Sequence, residues 1–278
     1  WDAIFALESE LANATSCQLA RYAYCAGADL SYMNLSGMDL TGIDLRGANL
    51  QNTTFDYATL DGADLRGIVA MNATFIHSGM NYTFLQNAEF NRDSSSECGG
   101  YCGAANLTNA YLNNADLRGA KLADVNLNYA YLNNSNLISA WMVNANLSRS
   151  ILANADLTDA VIYLADLNGA YLPHSDLTNA NLYRSDLTYA YLPNADLTDA
   201  DLRNADLTGA YLESADLTNA NLDSSDLTNA NLNSADLPNA YLFQTNLTNT
   251  ILNYADLSDS VLYGADLTFA NLYYTVLT

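Results

Sequence analysis

Large apolar side chains recur at every fifth residue through most of this chain. In the longer of two runs, Leu107 to Leu277, thirty-five such positions are all Leu except Met142 and Ile162. The residue two positions earlier is small, twenty-five times Ala, so the repeat is A-(D/N)-L-x-x. A looser run, Leu30 to Phe90, precedes it in a different register. Such a short, persistent repeat predicts a solenoid rather than a globular domain.

A period of five fits neither a single helix nor a single strand. At 100° per residue, successive Leu side chains would spread around a helix, each about 140° from the last. In a strand, residues five apart point to opposite faces. Each pentad must therefore contain a bend. The pattern predicts a coil of short sides with Leu and the small residue inside and three residues outside.

The outward residues indicate how many sides close one turn. The residue before Leu is Tyr at intervals of twenty, interrupted by Ile151, at Tyr111, Tyr131, Tyr171, Tyr191 and Tyr211. The set offset by ten is different in character and includes Lys121, Trp141 and Val161. A recurrence of twenty predicts four sides per turn.

This repeat and this period resemble those of the pentapeptide-repeat family, whose A-(D/N)-L-x-x units fold as a right-handed quadrilateral parallel β-helix. The resemblance covers about residues 26–90 and 103–278. It implies an all-β rod of about twelve coils, about 58 Å long at about 4.8 Å per coil. It implies little about function, because members of the family do different things.

The segments outside the repeats give the domain organisation. Residues 1–25 are predicted to form a helical and disulfide-bonded cap, because apolar residues in Trp1 to Leu11 have amphipathic helix spacing. Residues 26–278 form one β-helix, interrupted by a Cys/Ser/Gly loop at 91–103 where the register shifts by two. The chain starts at Trp1 rather than Met, which indicates either removal of a leader or trimming.

The four cysteines fall in two close pairs outside the regular repeats. Cys17 with Cys25, and Cys98 with Cys102, suit two local disulfides in an oxidising compartment. Free thiols and a four-cysteine zinc site are the alternatives, and the spacing is not a usual one for zinc.

The chain offers little that suggests catalysis. Its two histidines are His77, in the looser run, and His174, beside Pro173, and we interpret both as solvated surface residues or as residues used in local packing. There is no glycine-rich phosphate loop and no H-E-x-x-H motif. We therefore predict no catalytic residue, no cofactor and no enzymatic activity. No stretch has the about 18 uninterrupted apolar residues of a membrane span.

Acidic residues stack with the period of the coil. One face carries Asp at intervals of twenty at Asp156, Asp176, Asp196, Asp216, Asp236 and Asp256, and the opposite face at Asp166, Asp186, Asp206 and Asp226. Carboxylates about 5 Å apart should raise each other's pKa values or recruit cations such as Ca²⁺, and the candidate cation ladder runs from Asp176 to Asp236. Alternatively, each side chain bonds backbone amides at the corner.

The net charge of −22 is also unevenly placed, with no Lys or Arg after Arg203. The same length of duplex DNA carries about 34 phosphates. Some bacterial members of the family imitate DNA and bind DNA gyrase, which the resemblance implies for an intracellular protein. Direct binding to nucleic acid is disfavoured by the negative charge.

Nine N-x-(S/T) sequons are candidate glycosylation sites in a secreted protein. Five of them precede residue 100, but the total is close to chance for this composition, so unused sequons are the alternative. The nine are Asn13, Asn34, Asn52, Asn72, Asn81, Asn106, Asn133, Asn146 and Asn246.

Two functions fit these features. The first is a secreted, extracellular structural rod, with candidate glycosylation sites, that polymerises head to tail with itself. The second is a DNA-mimic protein that acts on a type II topoisomerase. For the first, the last coil of one molecule would meet the N-terminal region of the next, with candidate contacts at Trp1, Ile4, Phe5, Leu272 and Leu277.

Overall fold

The computed structural model describes residues 17–91 and 103–278. These two segments wind into one coil whose β-structure consists of isolated parallel bridges, one residue on each side of each turn. Within the described residues there is no helix. The predicted helix over Trp1 to Leu11 lies outside them.

The bridges confirm the four-sided β-helix. Tyr111 pairs with Tyr131, Asp116 with Asn136 and Lys121 with Trp141, so the partner is always twenty residues ahead. Four pentads therefore complete one turn. We name the sides by the bridging residues stacked on them after residue 103: face A is Asp116 to Val276, face B is Lys121 to Val261, face C is Asn106 to Asp266 and face D is Tyr111 to Asn271, in steps of twenty. Faces A and C are opposite each other, as are faces B and D.

Every corner is a tight turn with the same backbone geometry. The Leu carbonyl accepts a hydrogen bond from the amide three residues later, as between Ala115 N and Leu112 O at 3.1 Å. The second residue after Leu has positive φ throughout the described coils, in 38 residues other than Gly and in 10 Gly. This is the type II pattern, which explains the many Asn and Gly residues there and allows Pro one position earlier, at Pro173, Pro193 and Pro238.

Each pentad is joined to the coils on either side by three main-chain hydrogen bonds. Around Leu117, the Asp116 amide donates to Thr83 O at 2.9 Å, the Leu117 amide to Asn136 O at 2.7 Å and the Gly119 amide to Ile138 O at 3.0 Å. Between these ladders the Leu and Ala side chains are buried along the axis. The interior is thus a continuous stack of apolar side chains, and binding surfaces must lie outside.

The register shift has a simple structural origin. Thr74 pairs with Asn106, 32 residues ahead instead of twenty, so twelve extra residues leave the coil. They leave after Phe90, whose carbonyl accepts from the Ala105 amide at 2.8 Å. The predicted loop at 91–103 coincides with this insertion, although residues 92–102 lie outside the described part.

The coil begins before the predicted boundary at residue 26. The Tyr22 amide already donates to Thr41 O at 2.9 Å, and Tyr22 has the positive φ of a corner residue. The sequence did not mark this coil because Cys25 stands where Leu is expected. Cys25 is nevertheless buried as part of the core.

Candidate functional site

The Asp ladders on faces A and C are held by the corners themselves. Asp176, Asp196 and Asp216 each accept a hydrogen bond from the amide two residues later, at 2.9 Å. The same bond recurs on face C, where the Thr188 amide donates to Asp186 at 2.9 Å. The corner-bonding alternative therefore explains why Asp and Asn occupy this position.

Asp236 is the exception on face A, because the residue two positions later is Pro238, which has no amide hydrogen. Burial, followed by repulsion from Asp216 and Asp256, raises the pKa of Asp236 above its usual range. By contrast, the Ser258 amide and hydroxyl lower the pKa of Asp256. The proline signal was present in the sequence, but its consequence was missed.

Arg side chains neutralise only the early coils on the side of face A, which before Asp116 continues through Phe84 and Asp64 to Asp44. Arg46, Arg66 and Arg118 follow Asp44, Asp64 and Asp116 by two residues and form ion pairs with them at 2.5–2.7 Å. From Asp156 onward the residue at this position is Thr, Pro or Ser. Across the described segments, no three His, Cys, Asp or Glu side chains are arranged to hold a metal ion. Cation binding along Asp176 to Asp236 stays a prediction.

Face D carries the aromatic ladder. The rings of Tyr111 and Tyr131 are stacked with centroids 4.9 Å apart, and those of Tyr171 and Tyr191 are 5.2 Å apart. Tyr211 continues the row with a tilted ring 5.9 Å from Tyr191. The coil rise thus brings rings twenty residues apart into direct contact.

Face B combines aromatic and basic side chains. The guanidinium groups of Arg184 and Arg203 lie 5.1 Å and 5.6 Å from the ring centre of Tyr183. Arg203 also pairs with Asp201 at 2.7 Å. Tyr183, Asp201 and Arg203 line a shallow surface groove of about 480 Å³, together with Tyr163 and Asn181.

The last coil, 259–278, exposes part of the core. Leu262, Leu267 and Leu272 are only partly buried, and Leu277 is 54% exposed. The amides of Leu262, Leu267 and Leu272 donate no hydrogen bond to any residue of the described segments, whereas the Leu257 amide reaches Val276 O at 2.9 Å. On the opposing end, the candidate contacts Trp1, Ile4 and Phe5 lie outside the described residues.

The remaining candidates are dispersed. A disulfide joins Cys17 to Cys25, with Cα atoms 5.1 Å apart. Cys98 and Cys102 lie outside the described residues. His77 stacks on Tyr57 with centroids 5.1 Å apart, and His174 is an exposed corner residue.

The sequons differ in accessibility. Asn34 and Asn72 are exposed, but the other described ones are half-buried on the faces or corners: Asn52, Asn81, Asn106, Asn133, Asn146 and Asn246. Asn13 lies outside the described residues. The side-chain oxygen of Asn34 accepts hydrogen bonds from the Ser36 amide, at 3.1 Å, and from the Ser36 hydroxyl, at 2.6 Å. Glycosylation of these sites stays a prediction.

Where the structure describes the chain, none of its residues forms a helix with the length and apolar character of a membrane span.

Solved structures of other proteins contain similar coils. HetL, a pentapeptide repeat protein involved in heterocyst differentiation regulation in the cyanobacterium Nostoc sp. strain PCC 7120, is 29% identical over 97% of this chain and 95% of its own, with a TM-score of 0.28. Rfr23 of the cyanobacterium Cyanothece 51142 is 35% identical over 39% of this chain and 64% of its own, with a TM-score of 0.23. QnrB1, a plasmid-mediated fluoroquinolone resistance protein, is 19% identical over 86% and 90%, with a TM-score of 0.32. These TM-scores are low, so nothing about function follows from the three structures.

None of the curated proteins matches this chain. The family described as "Pentapeptide repeats" matches residues 23–56 and, in overlapping copies, residues 101–278. These ranges are well over half of the chain and agree with the coils described above. The protein belongs to the pentapeptide-repeat family.

Proposed function

We propose that this chain is a non-enzymatic structural rod that stacks head to tail with copies of itself. The observation that carries the proposal is the coil 259–278, in which core Leu side chains are only partly covered and three ladder amides donate no hydrogen bond to the described residues. A second copy continuing the coil would bury the exposed part of Leu277, which is worth about 1 kcal/mol. It would also give partners to the free amides of Leu262, Leu267 and Leu272.

The hydrogen-bond ladder is the larger contribution. Three main-chain bonds per side over four sides give about twelve per junction, or roughly 6–18 kcal/mol at the usual net worth of a hydrogen bond. Association costs roughly 4–15 kcal/mol in lost translational and rotational freedom of the two molecules. Near the middle of both ranges a junction that continues the ladder is favourable, whereas one that buries only Leu277 is unfavourable throughout. Because the two ends are different surfaces, stacking along a nearly straight axis gives a filament.

Charge opposes this assembly. The C-terminal third has no basic residue after Arg203, and on face A no arginine pairs with the Asp residues beyond Asp116. Screening shortens the range of this repulsion to about 8 Å at physiological ionic strength. Filament length should therefore increase with salt, and more strongly with divalent cations.

A pair of matched substitutions tests the proposal. Leu277→Asp places a charge on the open end, and Leu164→Asp makes the same change at a mid-rod corner where Leu164 is 47% exposed. Particle length by electron microscopy should fall to that of a single rod for Leu277→Asp, with a matching fall in mass by light scattering, and both should stay unchanged for Leu164→Asp. Equal assembly by both variants would overturn the proposal.

Secretion and glycosylation belong to the same proposal. A Cys17–Cys25 disulfide is the kind of bond that persists in oxidising compartments. The exposed sequons at Asn34 and Asn72 lie in coils where an attached sugar would meet solvent. Intact mass before and after glycosidase treatment tests this part, and a native mass equal to that of the bare chain would refute it.

A DNA-mimic protein that acts on DNA gyrase is the second candidate. It is favoured by the Asp ladders on opposite faces A and C, which from Asp156 onward form two parallel negative rows along the rod. Supercoiling assays with purified gyrase test it. Inhibition that disappears when face A Asp residues are changed to Asn, in a protein whose thiols are free, would favour this candidate over the structural rod.

A further inference from the structure

The charges of the second run are divided unevenly among the four faces. Between residues 103 and 278, most Asp residues lie on the opposite faces A and C. Face B has both signs in equal number, with three basic residues against three acidic ones: Lys121, Arg184, Arg203, Asp124, Asp201 and Asp223. Face D, taken as its bridging residues and the two corner residues after each, has Glu213 as its single charged residue. Faces B and D are therefore the two sides through which rods with a net charge of −22 repel each other least.

Face D is also the side with the longest apolar row. Ile151 fills the gap between the two Tyr stacks, so six successive bridging residues from Tyr111 to Tyr211 are aromatic or aliphatic. Tyr111, Tyr171, Tyr191 and Tyr211 remain 40–49% exposed, and Tyr131 and Ile151 are half-buried. Pro173 and Pro193 border this row. We call the six residues the Tyr row.

The orientation of the rings narrows the choice of partner. Tyr171 and Tyr191 are within 4° of parallel, and Tyr111 and Tyr131 within 9°, at distances that leave no room between the rings. The stacked ring faces therefore cover each other within the row, and the exposed area consists of ring edges and hydroxyl groups. A sugar or a nucleic-acid base binds an aromatic residue by stacking on its face. The Tyr row does not offer such faces, except at its ends.

We propose that the Tyr row is a lateral interface at which a second copy of this chain lies side by side and antiparallel. A second coil has the same rise per turn, so ring edges can interdigitate along the whole row without loss of register. A two-fold axis between Ile151 and Tyr171 would set Ile151 against Tyr171, Tyr131 against Tyr191 and Tyr111 against Tyr211 of the partner. The row then pairs with itself, as an isologous interface requires.

The available area makes this a weak interface for a single pair of rods. Nine coils of face D extend about 43 Å at the strand spacing, and three extended residues span about 10 Å across the face. Two such faces bury roughly 860 Å², below the about 1,200 Å² of stable complexes. We therefore expect a concentration-dependent dimer in the micromolar range or weaker, strengthened by salt because faces A and C still repel.

Charge exchange tests this interface directly. Asp is the residue that occupies bridging positions on faces A and C, so Tyr131→Asp with Tyr191→Asp keeps a side chain that the coil accepts. The same two positions changed to Lys give the complementary rod. Sedimentation equilibrium should show dimerisation at least tenfold weaker for each double variant alone, and dimerisation restored in an equimolar mixture of the two.

The matched control carries the same charge away from the row. Tyr129→Asp with Tyr189→Asp changes exposed corner residues between faces C and D. Asp already occurs with positive φ at the equivalent corner position between faces A and B, at Asp159 and Asp199. This variant should dimerise like the unmodified chain. Failure of the Asp and Lys variants to associate on mixing, or equal weakening by the control pair, would overturn the proposal. Binding of chitohexaose that is lost in the Tyr131→Asp/Tyr191→Asp variant would assign the row to a sugar instead and also overturn it.

This interface is independent of head-to-tail stacking. The Leu277→Asp variant should lose filaments but keep the lateral dimer, and the Tyr131→Asp/Tyr191→Asp variant should form single filaments that do not pair. The two failures are therefore distinguishable in the same micrographs.

Discussion

Leu197→Ala is the substitution whose cost follows most directly from the stacked core. Leu197 is fully buried, as are Leu177 below it and Leu217 above it. Removing three carbons loses about 2.4 kcal/mol of transfer free energy, at about 0.8 kcal/mol per carbon. The Leu197 amide bonds Asp216 O at 2.6 Å, and equivalent bonds hold every side of the coil. Because the ladder resists collapse of the cavity, we expect a total loss of about 3–5 kcal/mol.

The same substitution at Leu272 is the matched control. Leu272 belongs to the last coil and is only partly buried, so its truncation removes fewer contacts and leaves a solvent-accessible gap rather than an enclosed cavity. We expect a loss of about 1 kcal/mol in the unassembled chain.

Hydrogen exchange of the ladder amides is the appropriate assay, because a long repeat array need not unfold in one step. The opening free energy of the Leu177, Leu197 and Leu217 amides should fall in Leu197→Ala, while distant coils stay unchanged. A loss below about 1 kcal/mol at Leu197, or equal losses at Leu197 and Leu272, would refute a core that is packed and held by the ladder.

Three further predictions test single features. The raised pKa of Asp236 means that its ionised form destabilises the fold. This destabilisation is absent below the ordinary pKa of an aspartate and is complete once the pH has risen through the raised pKa of Asp236. Asp236→Asn should therefore stabilise the protein at pH 7 and have no effect near pH 3, and thermal unfolding with no difference between these pH values would contradict this. A Cβ at Gly209 would meet the Tyr189 ring at 2.8 Å. Gly209→Asn should therefore destabilise the protein by about 1 kcal/mol on its own but not in the Tyr189→Asn background, and a double-mutant cycle measures the difference. Non-reduced peptide mapping of native material should recover Cys17 linked to Cys25, and four free thiols would remove the main support for secretion.

The sequence predicts the fold well because the fold is carried by local repetition. The Leu period gives the bends, and the recurrence of Tyr at twenty gives the four sides that the bridges confirm. The insertion could be located because it shifts the Leu register. The coil at Tyr22 was missed because Cys25 stands at a core position where the repeat normally has Leu.

The surfaces were less predictable because they depend on which residues share a face. Pro238 follows Asp236 visibly in the sequence, but its effect requires knowing that every neighbouring carboxylate uses the amide at that position. Similarly, the Tyr189 ring packs against residue 209 because that residue is Gly, and the two become neighbours only when the coil places residues twenty apart side by side. The low charge of face D emerges only after the residues have been sorted onto four sides.

Electron microscopy of the purified chain, at increasing concentration and with added divalent cations, tests the central claim most directly. The account predicts unbranched filaments whose subunits repeat about every 58 Å, from about twelve coils at the strand spacing. Their length should increase with salt, and the subunits within each filament should all point the same way. Single rods at every concentration, or discrete particles of two rods joined through their C-terminal coils, would contradict head-to-tail stacking.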